Sequence, residues 1–510
     1  MVPADRAVEL TMLAAYLAVL LWIGIRSARR VRTSGDYTLA GRDVPWVIVL
    51  ATTAATMIGG GASVGMVSRV CEIGIAAAVI TLAWHLQLIF TGFFVAPKLR
   101  GLNLITVGDY FHLKFGPLAR ELAVVNCVIF LVGALAAQMA AIGTVANTVL
   151  GVPYGTALLI GATVTIFYST VGGIRAVVST DVLQFVILVT GIGVASGILM
   201  SQHGGFESMR TAASEGQFQL TSHWSTTKLV SLFVAFMLGE TFVPPYTVRC
   251  FIAKDKQHAR WGVAGAGIFL LLFLPIATFI LGNSAQINPD VQAAIDVEKQ
   301  QLLAAAAAAR QPLTEEAAQH QAYQVAFPTL VRVTFHPVFA GVMIAAIIAA
   351  VMSSADSCLS CLATVVMEDT YRRHVNPAAT DHQLLRVAQA TTLILGGAGA
   401  VCAWFFSNVA DILIFVYDFW APTMVLPFII ALFWYHESRI YAVVASMIVG
   451  ALSVIVWRFG LGSPGDVGPA LFGFGAALLA FFAALPLTSR WPRGSLLRPR
   501  GDASDDQEPV

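Results

Sequence analysis

Charged residues are scarce in this sequence. Only 12% of its 510 residues are Asp, Glu, Lys or Arg, about half the share in a soluble globular domain, and 57% are hydrophobic. No polar stretch is long enough to form a soluble catalytic domain, and the formal net charge of +1 gives no argument for nucleic-acid binding. The composition excludes an ordinary soluble enzyme and indicates a membrane protein with most of its length in the bilayer.

Cysteines are few and do not form a metal or redox site. Six occur, and the C-x-x-C of Cys358 and Cys361 has neither a second pair nor a nearby histidine. We interpret these two as small apolar residues of a helix. Because no nucleophile–base pair stands out either, we expect no enzyme, no transition metal and no cofactor beyond a coupling ion.

The first apolar run, residues 10–25, lacks the marks of a cleavable signal peptide. Acidic residues precede it and arginines follow it at positions 26, 29, 30 and 32, the reverse of a signal peptide's charge order. We therefore expect this run to be retained as a membrane span.

Thirteen segments are apolar and long enough to cross a bilayer, which takes about 20 residues. We number them spans 1 to 13, and they cover residues 8–25, 44–69, 74–97, 121–149, 154–171, 179–200, 229–252, 262–282, 333–366, 387–406, 410–433, 440–458 and 468–488. With the amino terminus outside, most of the 30 Lys and Arg fall in cytoplasmic segments. This pattern predicts an all-α, multi-pass protein of the cytoplasmic membrane with its carboxyl terminus inside.

Two of these spans carry helix-breaking residues near their middle. Span 2 contains "AATMIGGGASVG", with Gly59, Gly60 and Gly61, and span 7 contains "FMLGETFVPPYTVRCF", with Pro244 and Pro245. The glycines alone are also compatible with close helix packing. Interruptions at matching places in two halves indicate a transporter site, here in a 5+5 inverted repeat of spans 2–6 and 7–11.

The repeat predicts the domain organisation of the chain. Its parts are a first span and loop at 1–43, repeat 1 at 44–200, an extracellular loop at 201–228, repeat 2 at 229–433 with an extracellular insertion at 283–332, two peripheral helices at 434–490, and a disordered cytoplasmic tail at 491–510.

Several polar residues lie inside the predicted spans and indicate a buried polar site. In span 9, Ser353, Asp356, Ser357 and Ser360 share one helix face. Burying an aspartate in the membrane is costly, so Asp356 needs a partner. That partner is a hard cation, a proton, or a hydrogen-bonding group on a neighbouring helix. Asp181 at the start of span 6 is either part of such a site or a helix cap.

Several motifs resemble those of the sodium:solute symporter family. They are "DYTLAGRDVPW" before span 2, "YSTVGGIRAVVSTDVLQF" at span 6, and "AAVMSSADS" followed by "EDTYRR" at span 9. The resemblance covers about residues 8–460 and implies the leucine-transporter type of inverted-repeat fold. It also implies a Na⁺ site formed by the carbonyls of Ala55, Ile58 and Ala350 and the hydroxyls of Ser353 and Ser354.

The resemblance extends to a second ion site and to the solute. Some family members have a second Na⁺ site, and its matching positions here are Asp181, Ser353, Asp356 and Ser357, for a cation or a proton. Candidate solute-binding residues are Thr56, Gly59, Gly60, Gly61, Glu240, Tyr246, Tyr417 and Trp420.

The residues and the free backbone N–H groups at the break in span 2 predict the class of solute. The high-affinity choline transporters are similar at "GGG" and "AAVMSSADS", but Met57 and Val243 stand where that branch has cage tryptophans. Freed N–H groups of a half-helix favour a carboxylate, so we expect an organic acid or amino acid.

We therefore expect a Na⁺-coupled symporter that imports a small organic solute by alternating access. Its partners are the solute, Na⁺ and the bilayer, with no nucleic acid and no obligate protein partner evident. The alternatives are a choline-like amine symporter and a membrane sensor that binds solute without transporting it.

Overall fold

The protein folds as a bundle of helices in a computed structural model that describes residues 3–222, 224–308, 313–405, 409–436, 439–464 and 467–488. These residues form no β-strand, and one isolated bridge joins Val44 to Ala253. The predicted disorder of the tail 491–510 concerns residues outside the described part. The helices of spans 1 to 13 are Pro3–Ala28, Trp46–Met57 with Met66–Ile73, Ile75–Phe90 with Ala96–Gly101, Pro117–Leu150, Tyr154–Gln202 for spans 5 and 6, Thr226–Gly239 with Pro244–Ile252, Lys256–Ile287, Pro337–Thr364, Asp381–Phe405, Val409–Trp420 with Leu426–Phe433, Ile440–Ile455 and Pro469–Thr488.

Shorter helical segments join and extend these spans. Wider π-type turns are Gly61–Gly65, Thr91–Val95, Val365–Val375, Ala421–Val425 and Val456–Gly460. Helices in the loops are Ser34–Leu39, Val107–Phe115, Phe206–Ala212, Pro289–Ala308, Glu315–Ala322 and Ala326–Thr334. The alanine-rich stretch of the long insertion is thus helical as far as it is described.

The described helices agree with the predicted number of spans. Ten of them are individually long and apolar enough to cross a bilayer, and the bent pairs of spans 2 and 7 bring the number to 12. The helix Tyr154–Gln202 has 49 residues, which rise roughly 74 Å, more than twice the hydrocarbon thickness. It is interrupted at Gly173, where φ is 52° and an added Cβ would lie 2.6 Å from the carbonyl oxygen of Tyr37. Division there yields spans 5 and 6.

One boundary differs clearly from the prediction. Span 9 was predicted at 333–366, but its helix begins at Pro337, where proline fits the first turn, and continues as a π-type turn to Val375. The hydrophobic pattern missed this extension because "EDTYRR" is polar. It stays helical because Asp369 is buried against Arg120 at 2.6 Å, which secures the turn to span 4.

Loops predicted for the same side of the membrane contact one another. In the Lys/Arg-rich set, Arg175 lies 3.4 Å from Asp36, and the Arg100 guanidinium donates to the Ala253 carbonyl at 2.6 Å. In the other set, His320 lies 3.1 Å from Glu72. Each set therefore gathers at its own end of the bundle, as alternating crossings require.

Span 9 forms the centre of the bundle. Every residue from Met343 to Thr364 is buried, and spans 1, 4, 5, 6 and 10 pack around it. Its alanines and serines allow this close approach of several helices. The exposed apolar side chains belong to the outer helices, for example Trp22, Leu272, Ile394 and Leu479, as a lipid-facing surface requires.

Candidate functional site

The two halves of span 2 meet at an angle of 61°, and glycine makes this break possible. A Cβ at Gly59 would lie 2.3 Å from Ser354 Oγ in span 9, and one at Gly60 would lie 2.7 Å from the Cβ of Ala141 in span 4. Any larger residue would push the break away from both spans. The glycines therefore bring exposed backbone into direct contact with the polar face of span 9.

Span 7 is broken in the same manner, with its halves bent by 40°. Residues 240–243 separate them, and Phe242 adopts a positive φ of 63°. Pro244 and Pro245 are the first two residues of the second half. The N–H groups of a helix's first turn have no partner within the helix, so proline, which lacks an N–H, costs no hydrogen bond there. The two interruptions inferred from the sequence are thus both real breaks.

A cavity of about 50 Å³ lies between the two breaks. Five of the predicted solute-binding residues line it, namely Thr56, Gly59, Glu240, Tyr246 and Tyr417. Gly60 and Trp420 lie behind the lining: the Gly60 N–H donates to Gln138 Oε1, and the Trp420 indole donates to the Thr241 carbonyl, both at 2.9 Å. Gly61 belongs to the π-type turn that opens the second half of span 2.

Several residues of this cavity were missed by the sequence reasoning. Trp84, Phe130, Gln138, Cys358 and Leu413 come from spans 3, 4, 9 and 11 and also line it. Only Gln138 carries a detectable signal, because it is an amide within an otherwise apolar stretch of span 4. The others are apolar residues like their neighbours and become part of the site only through packing.

A second, larger cavity of about 440 Å³ adjoins the first. Trp84 and Leu413 line both, so these two side chains stand between them. The larger cavity is polar on one side, where Arg69 and Glu72 at the end of span 2 meet His320 of the long insertion.

Among the described residues that line the smaller cavity, Glu240 is the only aspartate, glutamate, lysine, arginine or histidine. The Tyr246 hydroxyl donates to its Oε2 at 2.9 Å, and the Tyr417 hydroxyl donates to Oε1. Because Tyr417 belongs to span 11, these bonds hold the carboxylate of the span 7 break in one orientation.

One predicted Na⁺ ligand, Ser354, contacts the backbone where the first half of span 2 ends. Ser354 Oγ lies 2.6 Å from the Thr56 carbonyl and 3.4 Å from the Ala350 carbonyl. The helix ends at Met57, so carbonyls from Ala55 onward lose their regular helical partners. These oxygens, with the serine hydroxyls, are the hard ligands that an alkali cation prefers.

Ser353 and the other residues of the predicted second ion site contact one another. Ser353 Oγ donates to Asp181 Oδ1 at 2.5 Å, away from the span 2 carbonyls. Asp356 accepts a hydrogen bond of 2.7 Å from Tyr168 in span 5. Ser357 links these two pairs, because its Oγ lies 2.8 Å from the Ser353 carbonyl and 3.5 Å from Asp356 Oδ1.

Arg249, near the end of predicted span 7, belongs to the Lys/Arg set that we assign to the cytoplasmic side. Its side chain is fully buried, and its Nη2 lies 3.1 Å from Asp181 Oδ2 and 2.7 Å from Ser357 Oγ. The same nitrogen is 2.8 Å from Thr56 Oγ1 and 3.2 Å from Thr52 Oγ1. The guanidinium thus joins spans 2, 6, 7 and 9 directly beside the predicted Na⁺ ligands.

Two broken helices facing one another, with hard oxygen ligands and a small cavity between them, define a membrane transporter of the leucine-transporter fold type. The chain belongs to the sodium:solute symporter family, whose model matches residues 37–450. It is a sodium-coupled symporter of a small solute, as the sequence motifs predicted.

Individual relatives agree with this assignment over almost the whole chain. The sodium/glucose cotransporter of Vibrio parahaemolyticus is 26% identical over 86% of this chain and 84% of its own. The high-affinity proline transporter PutP of Bacillus subtilis is 27% identical over 92% and 96%. These relatives are transporters and support neither the choline-like nor the sensor alternative.

The fold has a solved counterpart. A Na⁺-coupled sialic acid symporter in its substrate-bound outward-open state superposes with a TM-score of 0.78, at 20% identity, over 94% of this chain and 97% of the other. This likeness confirms the predicted fold class.

Proposed function

We propose that this symporter imports an organic acid or amino acid together with Na⁺. The proposal rests on one observation, the small cavity between the two helix breaks that adjoins the Ser354–Thr56 contact. Na⁺ would be held by the carbonyls of Ala55, Ile58 and Ala350 with the hydroxyls of Ser353 and Ser354. Ser353 would have to turn from Asp181 to join them.

Ion and solute are coupled because they share the break in span 2. Thr56 and Gly59 line the solute cavity, and Thr56 also carries the carbonyl that Ser354 contacts. A cation that secures this break against span 9 completes the solute cavity, so that each ligand favours the conformation that binds the other. The two repeats, residues 44–200 and 229–433, would then rock around the fixed site.

We infer the orientation of the protein in the membrane from its charge distribution. We place the Lys/Arg-rich end in the cytoplasm, the amino terminus outside and the carboxyl terminus inside. The larger cavity, lined by Arg69, Lys228 and His320, then faces outward. Solute would enter through it and pass Trp84 and Leu413 to reach the smaller cavity.

The proposal is tested by uptake into proteoliposomes that contain the purified full chain. An inward Na⁺ gradient should drive accumulation of at least one small organic acid or amino acid, whereas an inward K⁺ gradient should not. Equal uptake driven by a proton gradient alone would contradict the Na⁺ assignment. Glucose accumulation without uptake of any acid would contradict the solute class.

The Ser354→Ala variant tests the ion site. We expect the Na⁺ concentration for half-maximal uptake to rise about tenfold, because one hard ligand worth about 1.4 kcal/mol is lost. Ser446→Ala is the matched control, since Ser446 is a buried serine whose one side-chain bond within the described part of the chain is to the Val443 carbonyl of its own helix. An unchanged Na⁺ dependence in Ser354→Ala at normal expression would exclude this ligand.

A further inference from the structure

Among the buried acids that the structure describes, Glu240 and Asp356 form no salt bridge, and of these two only Glu240 lines the cavity between the breaks. Asp181 is paired with Arg249 at 3.1 Å, Asp369 with Arg120 at 2.6 Å, and Asp418 with Arg458 at 2.9 Å. Among the described residues, no arginine, lysine or histidine forms a salt bridge with Glu240. Its hydrogen bonds come from two tyrosine hydroxyls, which are neutral donors and supply no counter-charge.

The remaining surface around this carboxylate is suited to a cationic group. Phe130 stacks on Tyr417 with ring centroids 6.1 Å apart, and both rings line the cavity with Trp84 and Tyr246. Aromatic faces attract a desolvated cation, and a carboxylate supplies the charged hydrogen-bond acceptor. Gln138 and Ser354 add neutral polar atoms at the opposite side, against the break of span 2.

The position of Glu240 in the fold also indicates a role in solute binding. Glu240 stands in the interruption of span 7, where the backbone changes direction, and Tyr417 joins it to span 11. A purely structural acid would be expected against packed protein, as Asp369 is, whereas Glu240 faces the cavity between the two breaks.

We infer that the transported solute carries a protonated amino group, and that Glu240 receives it. This inference rests on the proposed function and narrows it, from organic acids in general to small amino acids. The ammonium donates to Glu240 and supplies the local counter-charge that no described side chain provides there, while the small volume limits the solute's side chain. Na⁺ binds separately, at the span 2 carbonyls and span 9 serines.

Matched pairs of solutes test the inference by thermal stabilisation of the purified full chain in saturating NaCl. The pairs are L-alanine with L-lactate, and L-proline with tetrahydrofuran-2-carboxylate, which differ chiefly in the amine. We expect only amino-bearing members to raise the melting temperature. Equal stabilisation by an amine-free partner, or no stabilisation by any small amino acid, would overturn the inference.

The role of Glu240 itself is tested with substitutions. Glu240→Gln should weaken binding of the stabilising amino acid at least about tenfold while retaining the stabilisation by Na⁺ alone, which shows that the variant is folded. Glu240→Asp should retain the preference for the amine. Glu207→Gln, at a largely exposed acid that lines neither cavity, is the matched control and should bind as the wild type does. Unchanged affinity in Glu240→Gln would overturn the inference.

The amine inference and the proposed Na⁺ symport can be contradicted independently of one another. Na⁺-driven uptake of amine-free acids would support symport and overturn the amine. Amine-selective binding without Na⁺-driven uptake would support the amine and contradict symport.

Discussion

Replacing Arg249 with methionine is expected to lower the free energy of unfolding by about 3–5 kcal/mol and to abolish solute uptake. The guanidinium is fully buried and is the only cation that forms a salt bridge with Asp181 in the described residues. Methionine fills much of the volume but leaves the carboxylate without a counter-charge. Uptake fails as well because the same nitrogen contacts Thr56 and Ser357, beside the ion ligands.

The double variant Asp181→Asn with Arg249→Met separates charge from shape. Removing both charges should recover a large part of the lost stability, so the two single effects should not add. Arg210→Met serves as the control, because Arg210 and its partner Glu207 are largely exposed and such pairs contribute about 0–1 kcal/mol. Thermal melting of purified protein compares the two single variants, Arg249→Met and Asp181→Asn, with the double variant and the control. A fully additive double variant would show that the Arg249–Asp181 pair is not coupled.

Gly59→Ala is expected to raise the Na⁺ concentration for half-maximal uptake more than tenfold. The added methyl would lie 2.3 Å from Ser354 Oγ and 3.1 Å from Gln138 Oε1, so span 2 must move away from span 9 at the point where the ion ligands meet. Overpacking of this kind costs about 1–3 kcal/mol, and the displacement also separates the ligands.

Gly397→Ala in span 10 is the matched control for this glycine. It also places alanine in a membrane helix, but no atom lies within 4 Å of the added methyl, and we expect wild-type uptake. Na⁺-dependent uptake over a range of concentrations distinguishes the variants. If Gly59→Ala shows the wild-type Na⁺ dependence, the glycine does not position the ion ligands.

Much of the fold could be predicted because membrane crossing depends on a local property. Each span needs only enough consecutive apolar residues, and the breaks are marked by Gly59–Gly61 and by Pro244 and Pro245. The division between spans 5 and 6 was equally visible, since Arg175 and its neighbours interrupt the apolar run around Gly173. Boundaries such as the end of span 9 were not, because a buried ion pair outweighs the polarity of the segment.

The candidate site could be predicted only in part. Glu240, Tyr246 and Thr56 lie beside the breaks and were found by position, whereas Trp84, Phe130 and Leu413 are ordinary apolar residues until packing brings them to the cavity. Arg249 stands near the end of predicted span 7, and its position along the chain indicates no partner. The bend of the half-helix and the approach of spans 2, 6 and 9 turn it into the most buried cation of the site.

The sequence by itself determined the membrane-spanning architecture, the two breaks and the family, because these depend on residues that are close together along the chain. Only the tertiary structure decided which charges neutralise one another. Asp181 is 68 residues from Arg249, and Glu240 is 177 residues from Tyr417. A buried charge is stabilised by whatever group packing brings within about 3 Å, and no pattern along the chain specifies that neighbour. Of the two buried acids in the described residues that form no salt bridge, Asp356 is bonded to Tyr168, and Glu240 faces the solute cavity.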